Sequence, residues 1–411
     1  MSAPTCLSIQ SAVVAGHVGH GASSFALGAS GVEVWPLPTV TLSGHARTPG
    51  VKGRRATGAE IAALGEGLAA GGALAGRLGW TAEEVDMQLE ALMKYGARLA
   101  EQLEFDLASP LSEAEMGRIF HYYLPVFMWA VQQLMVHTAA HAQGGGQPPT
   151  PPLVLGISAP QGCGKTTLVE QLEGLFAFAG LKAASVSIDD FYLTYAEQRR
   201  LAEEEAPDNP LLELRGNAGS HDMDLWERTL QALRGCSAKG TRARVPRYDK
   251  SLQGGRGDRA PEAEWVDVEG PVDVVLLEGW MLGFEPVGAE RAGEVHPGLP
   301  AVDARLGAYC ELWERFVGSW VVVKVADPAW VGKWRLQAEH QMRAKGKPGL
   351  SDEEVADFVA RYMPAYQAYL PGLYDPAGRA VGGVERHRVL EVELDQTRSP
   401  KFPEVGSAVQ T

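Results

Sequence analysis

The chain has 411 residues, a formal net charge of -14 and 45% hydrophobic residues, enough for two or three domains with a sizeable core. The acidic balance argues against general nucleic-acid binding, because a phosphate backbone would be repelled. Cys6, Cys163, Cys236 and Cys310 show no metal-ligand spacing, which points to a reducing compartment without structural disulfides.

No basic stretch precedes an uninterrupted apolar run, so no secretory signal is expected. The most apolar stretch, Tyr122 to Val136, contains Pro125, Gln132 and Gln133, and reads as a buried helix rather than a membrane span. Cys6 to Gln10 and Val32 to Leu37 read as strands, with Ala22 to Ala29 as a helix between them, a small β-α-β piece with too little apolar surface to stand alone. Leu7-Ser-Ile-Gln-Ser-Ala-Val-Val-Ala-Gly-His-Val-Gly-His20 and Val34-Trp-Pro-Leu-Pro-Thr-Val-Thr-Leu-Ser-Gly-His45 resemble the first strand, loop and next strand of pyridoxal kinases. That resemblance implies ring contacts at Ser11 and His45. The usual Asn-His-Thr of the turn is Gly44-His45-Ala46 here, and no later Gly-Thr-Gly-Asp anion hole is found, Gly255-Arg-Gly-Asp258 standing in another context. Residues 1–70 are therefore read as a fragment of, or extension from, such a protein without its phosphate-transfer machinery. A plastid-targeting extension is the other reading, since Glu33 is the only carboxylate before Glu60.

Residues 71–150 form a helical region and linker. Thr81-Ala-Glu-Glu opens one helix in capping-box form, and Leu111-Ser-Glu-Ala-Glu opens another that runs through Ile119, Phe127 and Leu134. Gly144 to Pro152 is a Gly/Gln/Pro linker.

The third part, 151–411, carries the chemistry. Leu153 to Ile157 reads as a buried strand, Gly162 and Gly164 as a sharp turn, and Thr167 onward as a helix, the context of a phosphate-binding loop. Ala159 stands at the first glycine position of that motif, a change of one methyl. Gly162, Cys163, Gly164, Lys165, Thr166 and Thr167 are the expected nucleotide contacts, with Lys165 on the phosphates and the Thr166 hydroxyl on Mg²⁺. Cys163 reads as a small filler residue. Ala183 to Ile188 is a second strand ending in Asp189 and Asp190. A carboxylate at such a strand end can accept a hydroxyl proton during phosphoryl transfer, which suits Asp189, and Asp190 can hold a Mg²⁺-bound water.

Arg215-Gly-Asn-Ala-Gly-Ser-His-Asp222 is a dense polar loop, with Arg215 as an anion clamp and His221 and Asp222 to orient hydroxyls. Val245-Pro-Arg-Tyr-Asp-Lys-Ser251 ends a third strand-like run. Tyr248 lies inside it, and Arg247, Lys250, Arg256 and Arg259 supply the local positive charge an acidic protein needs for anionic ligands. Val272 to Trp280 is an apolar strand carrying Glu278, the second carboxylate expected to hold Mg²⁺. After the Trp320 to Ala326 strand, Trp330 to Arg343 is a basic helix followed by Lys345-Gly-Lys-Pro-Gly349. It reads as a lid whose Arg335 and Arg343 neutralise charge on the transferred phosphoryl group. Ser351 caps a further helix, Val389 to Leu394 is the last strand, and the tail after Arg398 is expected to be loose.

Gly156-Ile-Ser-Ala-Pro-Gln-Gly-Cys-Gly-Lys-Thr-Thr-Leu168, Asp189-Asp-Phe-Tyr-Leu193, Leu214-Arg-Gly-Asn-Ala-Gly-Ser-His-Asp222, Val245 to Ser251, Leu277-Glu-Gly-Trp-Met-Leu-Gly-Phe284 and Trp334-Arg-Leu-Gln-Ala-Glu339 resemble, in the same order, the plant and fungal D-glycerate 3-kinases. The resemblance covers roughly residues 74 to 411, and more distantly it extends to uridine kinases, phosphoribulokinases and pantothenate kinases. It implies an α/β P-loop kinase of three layers on a parallel sheet. It also implies ATP and Mg²⁺ as cofactors, D-glycerate as acceptor, 3-phosphoglycerate as product and, in plants, photorespiration in the chloroplast stroma, with the cytoplasm as the other compartment. A monomer is expected, with no nucleic-acid or membrane partner. Competing expectations are a kinase for another hydroxylated acceptor (nucleoside, pantothenate or, through residues 1–70, pyridoxal) and an ATP-binding regulatory protein.

Overall fold

The computed structural model describes residues 5–13, 33–42, 53–55, 89–106, 111–344, 351–375, 381 and 383–401. The expected Ala22 to Ala29 helix, the Thr81 cap, the Lys345 to Gly349 loop and the tail beyond residue 401 lie outside them. The chain divides into two compact units, Met1–Pro125 with Phe402–Thr411, and Val126–Lys401.

In the first unit, β1 (Thr5–Val13), β2 (Glu33–Leu42) and β3 (Gly53–Arg55) form a sheet in which β1 and β2 are parallel and β3 is antiparallel to β2. Helix α1 spans Leu89–Gln102 and α2 Glu113–Arg118. Ser112 caps α2 with a reciprocal capping box to Glu115, as its Ser-x-x-Glu spacing requires. The helix expected to continue unbroken instead passes through a π turn, Ile119–Tyr123, where Leu124 N–H reaches the carbonyl of Ile119. Pro125 follows at once. It has no N–H to give to the preceding turn, so the extra residue falls where the ladder is already broken.

Helix α3 (Leu124–Gln143) begins at that point. From Val126 on it lies in the second unit, where Phe127 meets Phe176 edge-on at 5.2 Å and Gln133 accepts the hydroxyl of Ser319 at 3.2 Å.

The second unit is built on a parallel five-stranded sheet in the order β12-β11-β4-β10-β5. These strands are β4 (Leu153–Ser158), β5 (Ala183–Ser187), β10 (Val274–Gly279), β11 (Ser319–Val325) and β12 (Val389–Leu394). The central strands are continuous apolar runs, as expected of a sheet covered on both faces. Gly156 in β4 stands opposite Trp320 in β11, and a Cβ there would lie 2.5 Å from the indole, so the glycine admits the tryptophan into the core. The helices are α4 (Lys165–Phe178), α5 (Tyr195–Arg200), α6 (Met223–Arg234), α7 (Ala289–Val295), α8 (Leu299–Phe316), α9 (Trp330–Ala344), α10 (Asp352–Ala360) and α11 (Met363–Leu373). The strand-like run before Pro246 is not in the main sheet. It is β6 (Arg242–Val245), antiparallel to β9 (Val266–Glu269), and it leads into a small hairpin of β7 (Tyr248–Asp249) and β8 (Asp258–Arg259).

No helix among the described residues is long and apolar enough to cross a membrane.

Candidate active site

Three strand ends converge. Glu278 of β10 is level with Ile157 of β4 and Ser187 of β5, so the phosphate loop, Glu278 and Asp189 open on one edge of the sheet. Open parallel sheets bind ligands at such an edge, where neighbouring strands lead their connections apart.

The loop between β4 and α4 turns on Gly162 (φ +79°) and Gly164 (φ +100°), both in the left-handed region that glycine adopts without penalty. Lys165 is the first residue of α4, so the helix N-terminus and its free N–H groups face the loop. The loop is held from outside. Gln161 N donates to Tyr366 Oη at 3.0 Å, and Arg398 Nε donates to the carbonyl of Gly162 at 2.7 Å. A Cβ on Gly162 would come within 2.8 Å of Trp334 Cβ in α9, so this glycine is required by close packing as well as by its φ. Trp334 Nε1 in turn donates to the carbonyl of Gln396 at 2.8 Å, and Arg398 lies over its ring. Cys163 is buried, and burial pushes its thiol up to about 11, which keeps it protonated.

Glu278 Oε2 is buried and has no hydrogen-bond partner among the described residues. An orphaned carboxylate oxygen at the strand end beside the phosphate loop fits a divalent cation, and Thr166, in the first turn of α4, offers a hydroxyl from the loop itself. Asp190 is engaged elsewhere. Its Oδ2 accepts Arg247 Nη1 at 2.8 Å and its Oδ1 accepts Tyr248 N at 3.3 Å.

Asp189 and Asp190 sit on a single 3₁₀ turn, Ile188–Phe191, opened by the Ser187 side chain. Burial alone would raise the Asp189 carboxyl, but Lys250 and Lys165 outweigh it and hold it below the usual carboxylate range. Asp189 Oδ2 accepts Lys250 Nζ at 2.6 Å.

The dense polar loop is packed rather than free. His221 is buried, its Nδ1 lies 2.8 Å from Tyr309 Oη, and its ring stacks on Tyr192 at 4.6 Å. Burial lowers it to about 3, so the imidazole is neutral. Its Nε2 is buried without a partner among the described residues. Asp222 caps α6, accepting Leu225 N at 2.9 Å, and pairs with Arg259 Nη2 at 3.0 Å. Arg259 also donates to the carbonyl of Tyr192 at 3.1 Å. Arg215 Nη1 donates to the carbonyls of Gly255 and Arg256, and its guanidinium lies over the Tyr248 ring at 5.5 Å. Arg256 is exposed at the tip of the β7–β8 hairpin.

In the expected lid, α9, Arg335 pairs with the buried Glu339 and lies over Phe358 at 5.0 Å, while Arg343 pairs with Asp352 at 2.5 Å. Sequence reading missed the loop's props, Tyr366, Trp334 and Arg398, and the contact of Lys250 with Asp189. Tyr366 carried a signal, since it falls on the packing side of its helix. Arg398 carried none: it is aimed by a turn in which Asp395 accepts Thr397 N and Ser399 N.

The sequence profile of the phosphoribulokinase / uridine kinase family matches residues 154–285, which hold the phosphate loop, both strand-end carboxylates and the hairpin. The chloroplastic D-glycerate 3-kinase of Arabidopsis thaliana is 45% identical over 329 residues, 80% of this chain and 70% of that protein. The solved D-glycerate 3-kinase of Cryptococcus neoformans superposes with a TM-score of 0.59 at 34% identity, covering 67% of this chain and 97% of that one. A pyridoxal kinase of Paraburkholderia phymatum is 47% identical over 68 residues, 16% of this chain and 24% of that enzyme. The length and identity of the first match, joined to the arrangement of the three strand ends, place the chain in the D-glycerate 3-kinase family.

Proposed function

We propose that the chain transfers the γ-phosphoryl group of ATP to the 3-hydroxyl of D-glycerate, giving 3-phosphoglycerate and ADP. The observation that carries the reading is the convergence of Asp189, Glu278 and the Lys165 helix N-terminus on one sheet edge, in a chain 45% identical to a D-glycerate 3-kinase. The backbone N–H groups of Gly162 to Thr167 cradle the phosphates, and Lys165 meets the β- and γ-phosphates. Asp189 takes the proton of the 3-hydroxyl as that oxygen bonds to phosphorus and the bond to the ADP oxygen breaks. Thr166 and Glu278 would hold Mg²⁺, which would neutralise charge on the phosphates. Asp190, read from sequence as the holder of a metal-bound water, serves here to place Arg247, because both of its oxygens are engaged.

On the acceptor side, Arg215, Arg247, Arg256 and Arg259 supply positive charge for an anionic acceptor and Tyr248 a neutral hydroxyl, backed by His221 and Asp222. Arg335 and Arg343 act from α9 once they leave Glu339 and Asp352 for the transferred group. Every residue named lies within Val126–Lys401, so a monomer suffices. The compartment printed for the Arabidopsis relative supports a plastid stroma over the cytoplasm, and hence a photorespiratory setting.

The test is ADP release by the full chain with Mg-ATP and D-glycerate, run beside uridine, pantothenate and pyridoxal. Turnover with glycerate is expected. Lys165→Ala and Asp189→Asn should each lower kcat by about a thousandfold or more with the fold intact. Near wild-type rates in either variant, or turnover with pyridoxal alone, would sink the reading.

A further inference from the structure

Lys250 stands on the proposed base. Its Nζ lies 2.6 Å from Asp189 Oδ2, and a carboxylate oxygen held by an ammonium is a poor proton acceptor until it is released. Asp189 also lies beside Tyr192, and the two neighbours differ in how readily they can leave. Tyr192 is buried, stacked on His221 at 4.6 Å, edge-on to Tyr248 at 5.2 Å, and joined to His221 by a backbone bridge. It is fixed by the core.

The side chain of Lys250 is 57% exposed and opens the β7–β8 hairpin loop. Gln253, Gly254, Gly255 and Gly257 in that loop all have positive φ, and the loop is pinned by Arg215 through backbone carbonyls rather than by apolar packing. The Arg256 side chain, beside those carbonyls, is exposed and has no partner among the described residues. The movable partner of Asp189 is therefore a cation, on a hairpin that carries a second cation to draw an anion in.

We propose that Lys250 reads the carboxylate of the acceptor and exchanges Asp189 for it, so that the base is freed only when an anionic hydroxy acid arrives. The inference rests on the acceptor-side reading above and deepens it. In a short hydroxy acid such as glycerate, a single carbon separates the carboxylate from the carbon bearing the terminal hydroxyl. The hydroxyl can then meet Asp189 while Lys250 follows the carboxylate with little travel. A neutral polyol of the same size offers Lys250 no replacement charge, and the pair stays closed. Discrimination between a hydroxy acid and its alcohol is thereby built into the base rather than added by a separate pocket.

The experiment is ADP release by the full chain and by Lys250→Met, with Mg-ATP and D-glycerate, glycerol, or no acceptor. In the variant, kcat/KM for glycerate should fall about a hundredfold while that for glycerol holds or rises, so the ratio collapses. Acceptor-free ADP release should rise roughly fivefold or more, because Asp189 is then open to water. Lys250→Arg, which keeps the charge, should retain most of the discrimination. Equal losses with both acceptors and no rise in acceptor-free release would make Lys250 a neutraliser of phosphoryl charge and overturn the proposal. A wild-type chain silent toward glycerate would sink the acceptor reading instead. The acceptor-free arm would still decide the release of Asp189, a rise in Lys250→Met upholding it and an unchanged rate overturning it.

Discussion

The two sides of the site are built by different physics. The nucleotide side is a backbone structure held by the core. The Gly162 carbonyl is gripped by Arg398, the Gln161 N–H by Tyr366, and the space behind Gly162 is filled by Trp334. The side proposed for the acceptor is a hairpin held by charge. Lys250 is on Asp189, Arg247 on Asp190, Arg259 on Asp222, and Arg215 on the tip carbonyls. Phosphate chains are the same in every turnover, so a preorganised cradle costs nothing to reuse. An acceptor must be told from its relatives, and exchangeable ion pairs can respond to its charge. On the proposed function, rigidity sits where the ligand is constant, and replaceable pairing where it must be chosen.

Breaking the rigid side should have the larger effect. Gly162→Ala puts a Cβ 2.8 Å from Trp334 Cβ at φ +79°, a left-handed conformation costing about 1–2 kcal/mol for an L-residue before the clash is counted. Its kcat/KM for ATP should fall by about a hundredfold, with a lower Tm, whereas unchanged ATP kinetics would show that the loop is softer than its packing implies.

Arg215→Ala tests the other side and should be smaller. KM for glycerate should rise roughly tenfold while KM for ATP stays within about twofold, since the arginine holds the hairpin tip and is not among the residues holding the phosphate loop. An equal rise in both would erase the division between the two sides.

The smallest effect concerns the support beneath the hairpin. His221 is held at about 3, below its ordinary value of 6.5, because burial disfavours the cation. As pH falls through 6.5 the unfolded chain takes up this proton and the folded one does not. The neutral histidine's contribution is therefore complete above 6.5 and is lost progressively toward 3. Denaturant midpoints between pH 7 and pH 5 should fall less steeply in His221→Gln than in the wild type. Parallel slopes would mean that the imidazole protonates in place.

The phosphate loop was legible because it is local. Gly162, Gly164, Lys165 and Thr166 follow an apolar strand and open a helix, and each needs only its chain neighbours to do so. Asp189 and Glu278 were legible for a related reason, since each ends an apolar strand of a parallel sheet and such ends share an edge. The roles of Asp222 and Arg335 were less so. Nothing in the chain order says that Asp222 spends its oxygens on a helix cap and on Arg259, or that Arg335 finds a buried Glu339 one turn away. The π turn was hidden too. Pro125 removes one backbone donor, but whether a helix runs on, kinks or takes in an extra residue there depends on what it packs against.

By itself the sequence determined the class of chemistry: a phosphate cradle, two strand-end carboxylates and a supply of cations in an otherwise acidic chain. Those follow from backbone propensity and strand order, which act between near neighbours. Tertiary structure alone decided which cation meets which carboxylate. Lys250 lies 61 residues from Asp189 and Arg398 lies 236 from Gly162, and only the closing of the sheet and the hairpin brings such pairs within hydrogen-bond reach. Charge pairing is short-ranged in space and indifferent to sequence distance, so its partners become known only once the chain has folded.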